Sequence, residues 1–129
     1  MERNWDLIRE ILRILAEKSP DDYGNWLFYK YFIEKLPSYH ENIVKYHLKM
    51  MIEAGFVAGK ECSTGAGEDY VITEMTYYGQ DLWAMIKEKN LWEEIKECSK
   101  KNKRELSIYI IEKIYNFITE KKFFNRENK

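Results

Sequence analysis

The chain has 129 residues, 45% apolar and 33% charged, with a formal net charge of −1. That balance specifies one folded domain with an appendage, and it excludes both a disordered polymer and a strongly basic domain drawn to phosphate without regard to sequence. Ten Tyr, six Phe and four Trp exceed what one small core uses, so some rings are expected to cover a partner and self-association is expected.

Residues 4–18 place Trp5, Ile8, Leu12 and Leu15 on one helical stripe, widened by Leu7, Ile11 and Ile14, with Asn4 as N-cap and Asp6 in the first turn. Ser19, Pro20, Asp21 and Asp22 stop that helix and form a turn. The aromatic run from Asn25 to Leu36 satisfies strand propensity, although Leu27, Tyr31 and Glu34 can also be drawn on a helix; a strand is expected over about 26–33. Ser38 to Glu41 reads as a capping box opening a second helix, with Ile43, Val44, His47, Leu48, Met51 and Ile52 inward and Gly55 at its end.

Phe56 to Cys62 and Tyr70 to Met75 read as two strands joined by a long glycine-containing tip, residues 63–69, which would be a wing. Thr76 is placed to cap the next helix, whose inner stripe is Gly79, Leu82, Trp83 and Ile86; Gly79 would permit close approach to the sheet. Asn90 to Glu93 repeats a cap pattern, with Leu91, Trp92, Ile95 and Cys98 on one side. The polar stretch Ser99 to Arg104 is expected to be a hinge before a last helix from Leu106 to Phe117 or beyond. Leu106, Ile110, Ile114 and Phe117 line one face of that helix, and Ile108, Ile111 and Tyr115 another. Two apolar faces call for two partners.

The order helix, strand, capped helix, strand, wing, strand, helix is that of an α+β winged helix, a helix-turn-helix variant with a small antiparallel β-sheet. The expected division is a winged-helix domain over residues 1–89 and a C-terminal helical extension over 90–129 that packs on the core or mediates dimerisation. The residues Trp5 to Leu12, Tyr46 to Gly59 and Ile72 to Ile86, followed by Leu91 and Trp92, resemble an uncharacterised bacterial domain family found often in phages and prophages. That family is similar in outline to YjcQ-like winged-helix proteins. The resemblance spans nearly the whole chain and implies a winged-helix-like fold without an established activity. The chain departs from the family pattern at Gln80, where a histidine usually follows the glycine, and in the segment Trp26 to Phe32.

Few residues carry chemistry. His47 sits on an apolar helix face with no acid or second ligand at matching spacing, so a hydrogen-bonded histidine at the core edge is expected. His40 lies two turns away, about 10 Å along the axis, too far to share a metal ion. Asp21 and Asp22 read as turn residues rather than a carboxylate dyad. The glycines of the 63–67 tip lack a following Lys-Ser or Lys-Thr, and Glu68 and Asp69 would repel phosphate. Cys62 and Cys98 stand far apart without a CxxC or a histidine cluster, which argues against a disulfide framework or a zinc site and fits a reducing cytoplasm. No base, nucleophile and orienting group stand at suitable spacing, so a non-enzymatic protein without cofactor or metal is expected.

On the capped helix, Lys45 and Lys49 share the outward face, with Asn42 near the end where a recognition helix meets bases. Lys60 adds a phosphate contact from the wing strand, and Lys100, Lys101, Lys103 and Arg104 supply more from the basic stretch. Glu41 and Glu53 balance that helix face, and an ordinary solvated surface accounts for it equally well. Residues 1–89 are net acidic and the positive excess lies beyond residue 90, which favours a dimer over a monomer if DNA is bound. The expected function is DNA binding of the transcription-regulator type. The alternative is a protein-interaction module that uses Trp26 to Phe32 or the two-faced last helix. A homodimer through the C-terminal helices, a cytoplasmic location and no membrane partner complete the expectations.

Overall fold

Asn4 starts the first helix by accepting the Leu7 N–H on its side chain at 3.1 Å, which satisfies one of the donors that a helix N-terminus leaves unpaired. A computed structural model describes residues 2–18, 26–64 and 67–127. Over these the protein is α+β, with six helices and a three-stranded antiparallel sheet in the order β1-β3-β2, a layout compatible with a winged-helix-like arrangement. The chain divides into two compact units, Met1–Trp83 and Ala84–Lys129.

In the first unit α1, Trp5–Ala16, buries seven apolar residues and leaves Ala16 exposed. The turn expected at residues 19–22 lies outside the described residues. The strand expected over 26–33 is corrected: β1 is only Leu27–Phe28, and Tyr29–Lys35 is a helix, α2. Two features favour the helix. Phe32 and Leu36, four residues apart, are both buried, and the Asp69 carboxylate accepts the Tyr29 N–H at the start of α2.

The helix α3 is Glu41–Glu53, and its buried residues are Val44, His47, Leu48 and Met51. The expected capping box at Ser38 is corrected. The Tyr39 N–H bonds to the Leu36 carbonyl and closes a turn, and His40 becomes the N-cap, its Nδ1 accepting the Asn42 N–H at 3.1 Å. At the other end Gly55 takes φ +79°, the Gly55 N–H reaches the Ile52 carbonyl and the Phe56 N–H reaches that of Met51. This is a Schellman motif, and its left-handed residue is the expected glycine.

Strands β2, Val57–Thr64, and β3, Gly67–Met75, pair antiparallel from Val57↔Met75 to Thr64↔Gly67. The long tip expected over 63–69 is therefore corrected, because pairing continues through Ser63↔Glu68 and leaves only residues 65–66, outside the described residues, between the strands. A bulge between Ala58 and Gly59 leaves Thr73 without a ladder partner. Its hydroxyl donates to the Ala58 carbonyl at 3.3 Å, and its carbonyl accepts from Lys18 Nζ at 2.8 Å. The central strand β3 is buried on both faces at Tyr70, Val71 and Ile72.

The helix α4, Tyr77–Ile86, begins as expected at Thr76. Its hydroxyl accepts the Gly79 N–H at 3.0 Å and donates to the Gly55 carbonyl. Gly79 is buried against the backbone of Phe56, and a Cβ there would overlap the Phe56 carbonyl oxygen.

The second unit holds α5, Lys89–Lys101, and α6, Ile108–Glu127. The cap expected at Asn90 is corrected to Glu88, whose carboxylate accepts the Asn90 and Leu91 N–H groups at 3.0 and 2.6 Å, a negative charge at a helix N-terminus. Trp92 and Ile95 are buried, while Leu91 and Cys98 are half-buried. The expected hinge is also corrected: α5 continues through Lys101, and its end is tied down. The Lys103 N–H reaches the Lys100 carbonyl, the Arg104 N–H reaches that of Ser99, and the buried Ser99 hydroxyl donates to the Arg104 carbonyl. Ser107 then caps α6 by accepting the Ile110 N–H at 3.2 Å. Of the two expected apolar faces of α6, Ile111 is buried and Phe117 exposed; outside them Ile118 is buried and Tyr109 exposed.

Candidate nucleic-acid interface

The buried stripe of α3 determines what its opposite side presents. Residues 44, 47, 48 and 51 point inward, so at 100° per residue Asn42, Lys49 and Glu53 lie diametrically opposite, and all three are exposed. Lys45 sits at the edge of that face, half-buried, with its ammonium 5.4 Å from the centre of the Tyr29 ring. The face is mixed in sign, carrying Lys45 and Lys49 beside Glu41 and Glu53.

His47, on the inward side, is fully buried and has both ring nitrogens in use. Nδ1–H donates to the Ile43 carbonyl at 2.8 Å, and Nε2 accepts the Asn4 N–H at 2.8 Å. One donor and one acceptor define the neutral imidazole. Burial lowers the pKa of His47 below its ordinary value, partly opposed by the bond to Ile43. The ring joins α3 to the start of α1, hydrogen-bonded and out of contact with solvent.

Lys60 lies elsewhere. Gly59 pairs with Ile72 on the sheet face where a Cβ would meet Ile52 of α3, so Lys60, paired with Val71, belongs to the opposite face. Phe28 also pairs with Val71 and shares that face. Lys60 Nζ stands 4.5 Å from the Trp26 ring centre. The structure thus groups Lys60 with Trp26 and Phe28, not with Asn42, Lys45 and Lys49. Lys35, which belongs to no motif, lies 5.0 Å from the ring centre of the exposed Tyr31. The signal for the Trp26 surface is the aromatic density of residues 26–32; Lys35 follows Tyr31 by one helical turn, while Lys45 and Lys60 reach their separate rings only through folding.

The sites in the second unit are Lys100 and Lys101 in the last turn of α5, then Lys103 and Arg104 beyond it, all exposed. Lys103 has φ +54°, the left-handed position of a second Schellman motif. The first unit carries nine basic and fourteen acidic residues, the second twelve and eight. Among the described residues no three His, Cys, Asp or Glu side chains gather where they could hold a metal ion, and no helix is long and apolar enough to cross a membrane.

The family model described as "Hypothetical protein (DUF2513)" matches residues 2–105. An uncharacterized protein of Haemophilus influenzae is 27% identical over 114 residues, covering 88% of this chain and 92% of that protein. No solved structure matches the chain.

Proposed function

The chain belongs to the DUF2513 family, and we propose that it serves there as a winged-helix DNA-binding protein of the transcription-regulator type. In this reading α3 is the recognition helix, the β2–β3 hairpin is the wing, and the phage association and YjcQ-like outline belong to the same picture. The observation that carries it is the solvent face of α3, where Asn42 and Lys49 stand opposite the buried stripe with Lys45 beside them. Lys100, Lys101, Lys103 and Arg104 supply phosphate contacts from the second unit, whose positive excess offsets the acidity of the first. The role is binding, in the cytoplasm, with no catalytic step and no cofactor.

The test is salt-dependent binding of the full chain to pooled duplex DNA, with Lys45→Gln/Lys49→Gln as the variant. Weaker binding is expected, with a log–log salt slope shallower by about 0.9 for each phosphate that the variant no longer neutralises. Unchanged affinity and slope would remove α3 as the binding surface.

A second reading, a protein-interaction module that forms homodimers, is favoured by α6. Tyr109 and Phe117 lie eight residues apart on this helix and are 62% and 64% exposed. Substituting both by Ser should convert a dimer to a monomer in sedimentation; a parent protein that is already monomeric at high concentration rules the homodimer out.

A further inference from the structure

We propose that the sheet face carrying Trp26, Phe28 and Lys60 binds unpaired bases of a single-stranded nucleic acid. The inference shares its ligand class with the DNA-binding reading and rests on that reading in this respect alone, because the surface is a different one. It is the sheet face turned away from Ile52 of α3.

Three observations converge. The first is geometric. Phe28 and Lys60 flank the buried Val71 across the ladder, and Trp26, two residues before Phe28, lies with its ring beneath the Lys60 ammonium at 4.5 Å. The rings are half open to solvent, Trp26 at 50% and Phe28 at 49%. Single exposed apolar residues need no explanation, but two rings and a cation on one sheet face form a stacking platform with its own counter-charge.

The second concerns where the free positive charge of the first unit lies. On α1, Arg9 pairs with Glu10, and Arg13 pairs with Glu10 and Glu17, so those charges are neutralised internally. Lys30, Lys35, Lys45, Lys49 and Lys60 make no ion pair with a carboxylate among the described residues, and three of the five lie over Tyr or Trp rings instead. Within a net acidic unit, Lys35 and Lys60 thus stand over the exposed rings of Tyr31 and Trp26 instead of pairing with a carboxylate.

The third is the state of a carboxylate on the same sheet face. Asp69, two residues before Val71, commits one oxygen to the N–H groups of Tyr29 and Tyr70, at 3.4 and 2.7 Å. Its charge is held by backbone donors rather than by Lys60. A cation over a π-face suits a ligand that brings both phosphate and an exposed base plane: the ammonium swings to the phosphate and the base takes its place on the ring. A duplex keeps its bases stacked inside, and an acidic peptide offers charge without planes.

The experiment titrates the full chain with a twelve-residue oligothymidylate, an abasic oligonucleotide of equal length and an oligoglutamate, following tryptophan emission at several salt concentrations. Trp5 and Trp92 are buried and Trp83 is half-buried, so the share of the quench lost in the Trp26 variants is the part that reports on Trp26. Oligothymidylate should quench and bind about tenfold or more tighter than the abasic strand. Both Trp26→Ala and Trp26→Leu should abolish the quench and weaken binding by about tenfold, with circular dichroism unchanged. Lys60→Gln should flatten the salt slope by about 0.7. Neither Trp26 variant should alter duplex affinity, whereas Lys45→Gln/Lys49→Gln should, which separates this surface from α3. Equal binding of the abasic strand, full binding by folded Trp26 variants, or displacement by oligoglutamate as readily as by oligothymidylate would overturn the proposal, the last pointing to an acidic protein instead.

Discussion

The Asn4 backbone N–H donates to His47 Nε2 across 43 residues of sequence, and the Asn4 side chain meanwhile caps the helix that it begins. One residue thus starts α1 and fastens it to α3. Because His47 Nδ1–H is committed to the Ile43 carbonyl, a second proton on the ring would set a donor against the Asn4 donor inside the core.

Stability should accordingly fall in mild acid. The native pKa of His47 is lowered, so below the ordinary value of 6.5 the unfolded chain binds a proton that the folded chain refuses. The loss begins as pH drops through 6.5, grows by at most about 1.4 kcal/mol per pH unit, and is absent above neutrality. Urea unfolding at pH 7.5 and 5.5 measures it. His47→Gln should be less stable at pH 7.5 by about 1–3 kcal/mol, yet lose less between the two pH values; an identical pH dependence in both proteins would remove His47 as its source.

Gly79→Ala should destabilise the chain although alanine is the better helix former. The propensity gain is about 1 kcal/mol, but the new methyl would overlap the Phe56 carbonyl, which is backbone and cannot swing aside. A net loss of about 2–4 kcal/mol is expected by thermal or urea unfolding. Ala84→Gly, at an exposed position of the same helix, should cost only the propensity difference of about 1 kcal/mol.

Thr76→Val should cost about 1–3 kcal/mol, because the hydroxyl both accepts the Gly79 N–H and donates to the Gly55 carbonyl. Thr76→Ser keeps both bonds and should recover most of the loss in the same unfolding experiment. Equal losses in the two variants would show that the methyl, not the hydroxyl, matters there.

Where apolar period and caps agree, the sequence is readable: Asn4 and α1, Gly55 after α3, Thr76 and Gly79 in α4. It misleads where one partner lies far along the chain. Tyr29 to Lys35 has strand-forming residues, and what favours a helix is the distant Asp69 carboxylate together with burial of Phe32 and Leu36. His40 and Glu88 displace the expected caps because imidazole and carboxylate acceptors can fill a role usually assigned to Ser, Thr, Asp or Asn. The grouping of Lys60 with Trp26 depends on strand register and the bulge at Gly59, neither of which periodicity reveals.

Lys103 separates a structural role from a binding role within one side chain. It holds φ +54° where α5 ends, and a left-handed conformation costs a residue with a Cβ about 1–2 kcal/mol that glycine avoids. Part of that advantage returns to the unfolded state, which glycine makes more flexible. Lys103→Gly should therefore raise stability by about 0.5–1 kcal/mol, or leave it unchanged, while removing an exposed cation. If Lys103 also contacts phosphate, the same variant binds duplex DNA more weakly, with a salt slope shallower by about 0.9. Greater stability with unaltered binding would assign Lys103 to the helix end alone and leave the phosphate role to Lys100, Lys101 and Arg104.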